Sequence, residues 1–402
     1  SIGGLTRMID AVGNSQRTGY TAAKIYHMYR HEKEKYDKTT TFFLVHNYIN
    51  WFLTGAKENG VRVMEPGDTS GMALWYPATG NWSQTVIDCI DPGLKHKLPP
   101  VRPSDQSIGL ISAFLSEKYG FSAACKIDAG CGDNMYGAVG TGNIEPGIVT
   151  ISLGTSGTAY TMMTEPYIDP SGEIAAFCDS TGHYLPLLCV SNMANGYDEI
   201  LSHLDISHQK FETLIQHTKP GNGGRLLLPW FIGERTPDLP LATPVTFGFK
   251  LGDFTAEILC RAVLEGHVLG LFDGFERMNV SPAEIRLTGG LSKSAAWRQC
   301  IADVFEAETV PVSGEGAAIG AALHAAWVWH KENATPVELK QLTDDFVVCE
   351  TSLRCKADPG RQKIYRAFKK VYRTLSDRFK DNREGDPFLA RHELMQILQS
   401  GK

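Results

Sequence analysis

The sequence lacks several features that would assign it to a special class of protein. It contains no apolar run of membrane-spanning length, no signal-peptide pattern in its first residues, no internal repeat and no low-complexity tract. Its net charge of −6 argues against a general affinity for nucleic acid or for anionic membranes. With 402 residues, 43% of them hydrophobic and 21% charged, the chain is expected to be globular and to form two or three domains.

The nine cysteines form no C-x-x-C pair, and their number is odd. This pattern favours reduced thiols in a cytoplasmic protein over a disulfide framework or a zinc site. Cys131 lies two residues before Asp133, but no histidine is near it in the sequence, which disfavours a cysteine nucleophile. No G-x-G-x-x-G follows a strand near the start, which argues against a dinucleotide-binding dehydrogenase.

The central part of the chain carries a carboxylate on a glycine turn. Gly130-Cys131-Gly132 leads into Asp133 and Asn134, and the residues that follow, as far as Gly140, are mostly small or apolar, as in a tightly packed helix. A Gly-Asp-Asn sequence alone usually marks only a loop. Here it provides an acid that could accept a proton.

A predicted β-hairpin follows this helix. The strand 148–153 and the β-rich run 158–163 are joined by the glycine-bounded turn 154–157. Such a turn is most often only a turn, but its backbone N–H groups can also converge on a phosphate. A proton acceptor followed by a phosphate cradle suggests phosphoryl transfer.

A third unit begins with the strand 285–288, which ends in Gly289-Gly290. A helix follows the Ser292-Lys293-Ser294 turn. This arrangement can bring backbone close to a nucleotide, although it is more often a structural turn. The small-residue stretch 314–329 predicts a helix packed closely against a neighbour, and we also predict a strand over 41–45 and a helix over 108–119.

Taken in order, these motifs resemble the FGGY carbohydrate kinase family. The motifs are Gly130-Cys131-Gly132-Asp133-Asn134, Leu153-Gly154-Thr155-Ser156-Gly157, Gly233-Glu234-Arg235-Thr236-Pro237, and Thr288-Gly289-Gly290 with Trp297-Arg298-Gln299. The segments 19–24 and 53–55 look most like the branch that acts on xylulose. The resemblance covers nearly the whole chain.

The resemblance implies an α/β fold of two actin-like (ribonuclease H-like) ATPase domains around a nucleotide cleft. Residues 1–148 would be the remainder of an N-terminal sugar-binding domain, and residues 149–402 the C-terminal nucleotide-binding domain. The implied ligands are ATP with Mg²⁺ and a small sugar, with no nucleic acid and no membrane. A homodimer stays open.

The resemblance also assigns roles to individual residues. Asp133 matches the general base that takes a proton from the sugar hydroxyl, and Asn134 matches a neighbour that contacts the sugar. The remaining matches are the hairpin at the ATP phosphates (Gly154, Thr155, Ser156, Gly157) and the loop at the adenosine (Gly289, Gly290, Ser294). Ser294 stands where the family often has asparagine, and no metal ligand is assigned within this chain.

Members of the family begin with a strand ending in an Asp-x-Gly-Thr turn that binds phosphate and magnesium. No such segment precedes Asp133. We therefore expect the first domain to lack its N-terminal part, on the order of a hundred residues. We also expect the 402-residue chain alone not to phosphorylate sugar, which an ADP-release assay with D-xylulose, magnesium and ATP would test.

The function expected from the resemblance is transfer of the γ-phosphate of ATP to a sugar, with D-xylulose as the first candidate. Ribulose, gluconate and glycerol are alternative substrates, because substrate choice depends on pocket shape. A non-catalytic kinase-like protein that binds sugar or nucleotide is the alternative from another class.

Overall fold

The computed structural model describes residues 2–380 apart from 315, 334 and 336. The helices are α1 (Leu5–Val12), α2 (Thr21–His31), α3 (Lys33–Lys38), α4 (Val45–Leu53), α5 (Ala56–Asn59), α6 (Pro66–Thr69), α7 (Gln84–Ile90), α8 (Ala113–Tyr119), α9 (Asp133–Gly140), α10 (Ala194–Leu204), α11 (His208–Gln216), α12 (Ala256–Phe275), α13 (Ala295–Phe305), α14 (Gly316–Glu332), α15 (Leu339–Phe346) and α16 (Pro359–Lys380). The strands are β1 (Trp75–Tyr76), β2 (Asn81–Trp82), β3 (Ser107–Leu110), β4 (Lys126–Asp128), β5 (Ile148–Leu153), β6 (Gly157–Thr161), β7 (Leu187–Val190), β8 (Leu226–Leu228), β9 (Val245–Phe247), β10 (Glu284–Thr288) and β11 (Glu308–Pro311).

The chain forms two compact units. The first contains the residues up to Pro146 together with Thr161–Leu187 and Gly314–Val347, and the second contains Gly147–Tyr160, Leu188–Ser313 and the residues from Val348 onward. Both units mix helices and strands, as the predicted α/β class requires. Among the described residues, none of the helices combines the length and the apolar character needed to cross a membrane.

In the first unit, helix α9 packs tightly against α14. A Cβ atom on Gly140 would lie 1.7 Å from the carbonyl oxygen of Gly316, and one on Gly320 would lie 1.8 Å from that of Tyr136. Because only glycine lets two helix backbones approach this closely, the predicted small-residue helix is confirmed. Its packing partner is the helix that begins at Asp133.

The second unit is built on a five-stranded sheet in the order β11-β10-β5-β6-β7. Strand β10 pairs in parallel with both β11 and β5. Only three residues join β5 to its neighbour β6, which is too short for a parallel crossover, so the two strands form the predicted hairpin. Helix α12 belongs to this unit, and its side chains are buried on nearly all sides.

Two predictions of secondary structure are wrong. The segment predicted as a strand over 41–45 is irregular up to Leu44, and Val45 begins helix α4. The helix predicted over 108–119 is confined to its second half, because Ser107–Leu110 pairs with β4 instead. A strand partner distant in sequence overrode the local helical pattern there.

Candidate active site

Two loops of the second unit leave the sheet at the same edge. Strands β5 and β10 run parallel, with Ser152 opposite Thr288 near their carboxyl ends. The turn of residues 154–156 follows β5, and a short 3₁₀ turn, Gly290–Lys293, follows β10 one residue later. The space outside the carboxyl ends of parallel strands is the usual place for a ligand in α/β folds.

A cavity of about 710 Å³ lies at this edge. Four of the residues predicted to bind nucleotide line it together: Gly154, Thr155, Gly290 and Ser294. The rest of the wall comes from the same two loops and from α10, α11 and the first residue of α13 (Leu153, Ala194, Tyr197, Asp198, His208, Gln209, Glu212, Leu291, Lys293, Ala295). A volume of this size lies within the range of small-molecule and cofactor pockets.

The hairpin turn is anchored by its carbonyl groups. The carbonyl oxygens of Gly154 and Thr155 accept hydrogen bonds of 3.0 and 3.5 Å from the N–H groups of Ala194 and Asn195, at the start of α10. The N–H groups of Thr155 and Ser156 form no turn or cap hydrogen bond with another described residue. This arrangement is compatible with a phosphate cradle formed by the backbone of the turn.

The glycines of the two loops differ in what surrounds them. A Cβ on Gly290 would meet no atom within 4 Å, and one on Gly154 would meet only the carbonyl oxygen of Ser156 at 3.5 Å. A Cβ on Gly289 would lie 2.5 Å from the carbonyl oxygen of Leu153, and one on Gly157 would lie 2.5 Å from Met193. Gly154 and Gly290 therefore border open space, whereas Gly157 and Gly289 allow the backbone to pack closely.

Ser294, at the cavity wall, stabilises the start of helix α13. It is the N-cap of α13, and its hydroxyl accepts a hydrogen bond of 3.2 Å from the N–H of Trp297 and donates one to Glu212. Glu212 also accepts a hydrogen bond from the N–H of Ala296. The hydroxyl is thus already engaged, and the assigned contact with adenosine stays a prediction.

The wall formed by α10 and α11 was not predicted from the sequence. Tyr197 stacks on His208 with ring centroids 5.3 Å apart, and their phenol oxygen and Nδ1 form a hydrogen bond of 2.7 Å. Burial raises the pKa of Tyr197, so its phenol stays neutral at physiological pH. The inward position of Tyr197 on a helix was predictable, but the distance of these helices from the glycine loops in sequence concealed that they share a cavity.

Asp133 lies in the first unit as the first residue of α9, after the N-cap Gly132. Its side chain is exposed, and Oδ1 accepts hydrogen bonds from the backbone N–H (2.8 Å) and the side-chain amide (3.1 Å) of Asn134. No described residue donates a hydrogen bond to Oδ2. A solvent-accessible carboxylate with one free oxygen, held at a helix N-terminus that stabilises its charge, is suited to accept a proton.

Cys131, beside this carboxylate, is buried and bonded to an acid. Its Sγ donates to Oε2 of Glu65 at 3.2 Å. Burial and the nearby carboxylate of Glu65 raise the pKa of the thiol well above its usual value. Both effects disfavour the thiolate form of Cys131.

One group of described residues has the spacing of a metal site. Ligand atoms of His46, Glu65 and Asp68 all lie within 4.8 Å of one another. The nearer contact of the histidine is a hydrogen-bonded pair, from Nδ1 to Oδ2 of Asp68 at 3.1 Å. Opposite charges arranged in this way form an ion-pair network without any metal.

Comparison with known proteins identifies one family over most of the chain. Residues 3–140 match the N-terminal domain of the FGGY family of carbohydrate kinases, and residues 149–329 match its C-terminal domain. The xylulose kinase of Haemophilus influenzae is 36% identical over 332 residues, which cover 81% of this chain and 66% of the relative. The xylulose kinase of Streptomyces coelicolor is 31% identical over 345 residues, which cover 84% and 67%.

Solved structures share the fold. The crystal structure of xylulose kinase from Bifidobacterium adolescentis superposes with a TM-score of 0.79 at 27% identity, covering 92% of this chain and 76% of that one. The predicted α/β, actin-like fold is confirmed by this likeness. The chain spans about two thirds of the length of the curated relatives described above.

Proposed function

Because the chain belongs to the FGGY family of carbohydrate kinases, we propose that it serves the transfer of the γ-phosphate of ATP to a hydroxyl group of a sugar, and that this sugar is D-xylulose. Support for D-xylulose comes from the relatives, since both curated proteins described above are xylulose kinases. The same relatives support the sequence-based choice of the xylulose branch.

One observation carries the nucleotide part of this proposal. The two predicted phosphate and adenosine loops, far apart in sequence, border one cavity at the carboxyl ends of β5 and β10. Gly154 and Gly290 leave open space at this cavity, so ligand atoms can approach the backbone at both positions. These residues fit a nucleotide: the backbone of the glycine turn for phosphates, and the Tyr197–His208 wall for the remainder of the molecule.

Asp133 accepts the proton of the sugar hydroxyl in this proposal. Oδ1 is held by Asn134, and Oδ2 is left for the substrate. Asn134 is half-buried beside it and contacts the sugar. Magnesium, when bound, neutralises charge on the phosphates, and no residue of this chain is assigned to hold it.

The proposal is tested by binding measurements, which report on the sites independently of turnover. Calorimetric titration of the 402-residue chain with MgADP should show one site, and Gly290→Val should weaken it about tenfold by filling the cavity. Gly19→Val is the matched control, because a Cβ on Gly19 also meets no atom within 4 Å but lies in the first unit. Absence of MgADP binding, or equal binding by both variants, would contradict the nucleotide site.

The substrate is tested with a panel of D-xylulose, ribulose, gluconate and glycerol. D-xylulose should bind most tightly, and Asp133→Asn should weaken its binding. Tighter binding of another member would reassign the substrate within the family. Nucleotide binding with no sugar binding at all would favour the non-catalytic alternative.

Further features stay proposals on the same basis. We propose that the two family domains are divided in sequence between residues 148 and 149, although Thr161–Leu187 and Gly314–Val347 pack with the first unit. We also propose a cytoplasmic location and, for the oligomeric state, a homodimer. Size-exclusion chromatography with light scattering tests the last of these.

A further inference from the structure

The glycine turn that precedes Asp133 is held in place from several sides within the first unit. The side-chain amide of Asn50 donates to the carbonyl oxygens of Ala129 (2.8 Å) and Asp128 (3.3 Å). The ring of His46 lies against Gly130, where a Cβ would be 3.0 Å from the histidine Cδ2. The carboxylate of Asp68 lies against Gly132, 2.9 Å from the position of a Cβ there.

The side chains around the turn form one charged network. Nδ1 of His46 lies 3.1 Å from Oδ2 of Asp68, and Nε2 lies 2.8 Å from the side-chain amide nitrogen of Asn47 and 3.5 Å from Oε1 of Glu65. Burial disfavours the protonated ring, but the hydrogen bonds to Asp68 and Glu65 outweigh burial and raise the pKa of His46 to about 9. The two carboxylates therefore favour the charged form of the His46 ring at neutral pH.

Glu65 connects this network to the turn itself. Its side chain is completely buried and accepts hydrogen bonds from the backbone N–H groups of Gly67 (2.6 Å) and Asp68 (2.8 Å). Oε2 also accepts from the hydroxyl of Ser104 and from the thiol of Cys131, each at 3.2 Å. Four donors of the described chain therefore hold the carboxylate of Glu65 in one orientation.

The position of Asp133 depends on these contacts with the turn, because few hydrogen bonds hold its own side chain. It is exposed, and among the described residues its carboxylate is hydrogen-bonded only to Asn134. It also follows a turn with two glycines, the residue type with the greatest backbone freedom. A proton acceptor must be held within a fraction of an ångström of its productive position. Helix α9, which begins at Asp133, is fixed on one side by its packing against α14, and the residues packed against 128–132 constrain the turn on the other side.

We propose that His46 and Asp68 are positioning residues for the reaction: their ion pair, seated on Glu65, locks the Gly130–Gly132 turn and thereby fixes the carboxylate of Asp133. The proposal rests on the proposed function for the role of Asp133. It requires no contact between the ion pair and the substrate. Removing the pair should loosen the turn and weaken sugar binding, while nucleotide binding in the second unit is unaffected.

Cys131 is a built-in probe of the turn. Its thiol is buried between Gly130 and Gly132, so its alkylation requires the turn to open. Pulse alkylation of the 402-residue chain, read by mass spectrometry at each cysteine, should be about tenfold faster at Cys131 in His46→Ala, as loss of one charge-assisted hydrogen bond predicts. Cys178, buried in the same unit, should keep its rate.

Ile87→Ala is the matched control for general destabilisation. Ile87 is buried in the core of the same unit, so this variant should speed alkylation of Cys131 and Cys178 alike. Asp68→Asn, at a half-exposed position, should reproduce the selective effect of His46→Ala, and His46→Gln should retain part of the protection through a neutral hydrogen bond. These two variants keep the test decisive if His46→Ala fails to fold.

Calorimetry with D-xylulose completes the test as a double-mutant cycle. His46→Ala and Asp133→Asn should each weaken binding, and the double variant should be no weaker than Asp133→Asn, because His46 acts through Asp133. Unchanged binding in Asp133→Asn would remove the proposed role of Asp133 but leave the alkylation result intact. Unchanged alkylation of Cys131 in all three network variants, or equal acceleration at Cys178, would overturn the positioning role.

Discussion

Replacing either of the consecutive glycines Gly289 and Gly290 singly by alanine should have different effects: the first should reduce stability, and the second should reduce nucleotide affinity. Gly289 has φ 84° and ψ 172°, a region that only glycine occupies readily. An added Cβ would also lie 2.5 Å from the carbonyl oxygen of Leu153 and 2.6 Å from its carbonyl carbon. Both atoms belong to the backbone of a central strand and cannot move aside at low cost.

We expect Gly289→Ala to lower the free energy of unfolding by about 3 kcal/mol, because backbone strain of 1–3 kcal/mol adds to the steric overlap. For a unit of this size, that corresponds to a fall in melting temperature of roughly 6–12 °C. Gly290→Ala should change the melting temperature by less than about 2 °C, since its Cβ would meet no atom within 4 Å. Its methyl group enters the cavity, so it should weaken MgADP binding severalfold.

The assays are differential scanning calorimetry for stability and isothermal titration with MgADP for binding, with Gly19→Ala as the control for alanine at an open glycine. Gly289→Ala should unfold at a lower temperature, and the fraction that remains folded should bind MgADP through a distorted loop. Gly290→Ala should keep its stability and lose affinity. A stable Gly289→Ala variant, or a Gly290→Ala variant with the affinity of the wild type, would refute the distinction between packing and open glycines.

Three further predictions concern other parts of the molecule. In an active form of the enzyme, Asp133→Asn should lower sugar-dependent turnover roughly 10²–10⁴-fold with little change in nucleotide affinity; turnover near that of the wild type would show that Asp133 is not the base. Gly154→Val should weaken MgADP binding measured by calorimetry, and Thr155→Ala should weaken it less, since the main-chain donors remain; equal affinities would mean that the hairpin is only a turn. Burial raises the pKa of Glu265 to about 7, against the opposing effect of Arg261, so stability from this group is greatest below about pH 4.5 and declines as the pH rises through 7. Urea unfolding from pH 5 to 8 should therefore show a slope that Glu265→Gln flattens, and identical slopes would contradict the buried, protonated state.

The parts of the fold that follow from local pattern were predictable. The hairpin of β5 and β6, the strand–Gly-Gly–helix unit and the helix after Asp133 are each specified by periodicity and by glycines at their ends. The small-residue helix α14 was predictable for the same reason, although its partner was not. Strand β3 was missed because its pairing with β4 depends on residues far along the chain.

The candidate site was predictable only in part. A motif placed Gly154, Thr155, Gly290 and Ser294 at one ligand, and the cavity brings these four residues together. The sequence carries no sign that Glu212 occupies the hydroxyl of Ser294, because that contact joins residues 82 positions apart. The same holds for His46 and Asp68, whose relation to the Asp133 turn exists only once α4 and α6 are packed around it.

A glycine in a motif therefore has two physical explanations that only the folded chain separates. Gly289, Gly157 and Gly140 have backbone or side-chain atoms within 2.5 Å of where a Cβ would stand, so packing requires a glycine there. Gly154 and Gly290 have open space, as Gly19 does, and what distinguishes them from Gly19 is their position on the cavity wall. The two open glycines border the same cavity from strands that are parallel neighbours, so in the proposed nucleotide site one ligand meets the backbone at both positions, and variants at these positions should affect binding without affecting stability.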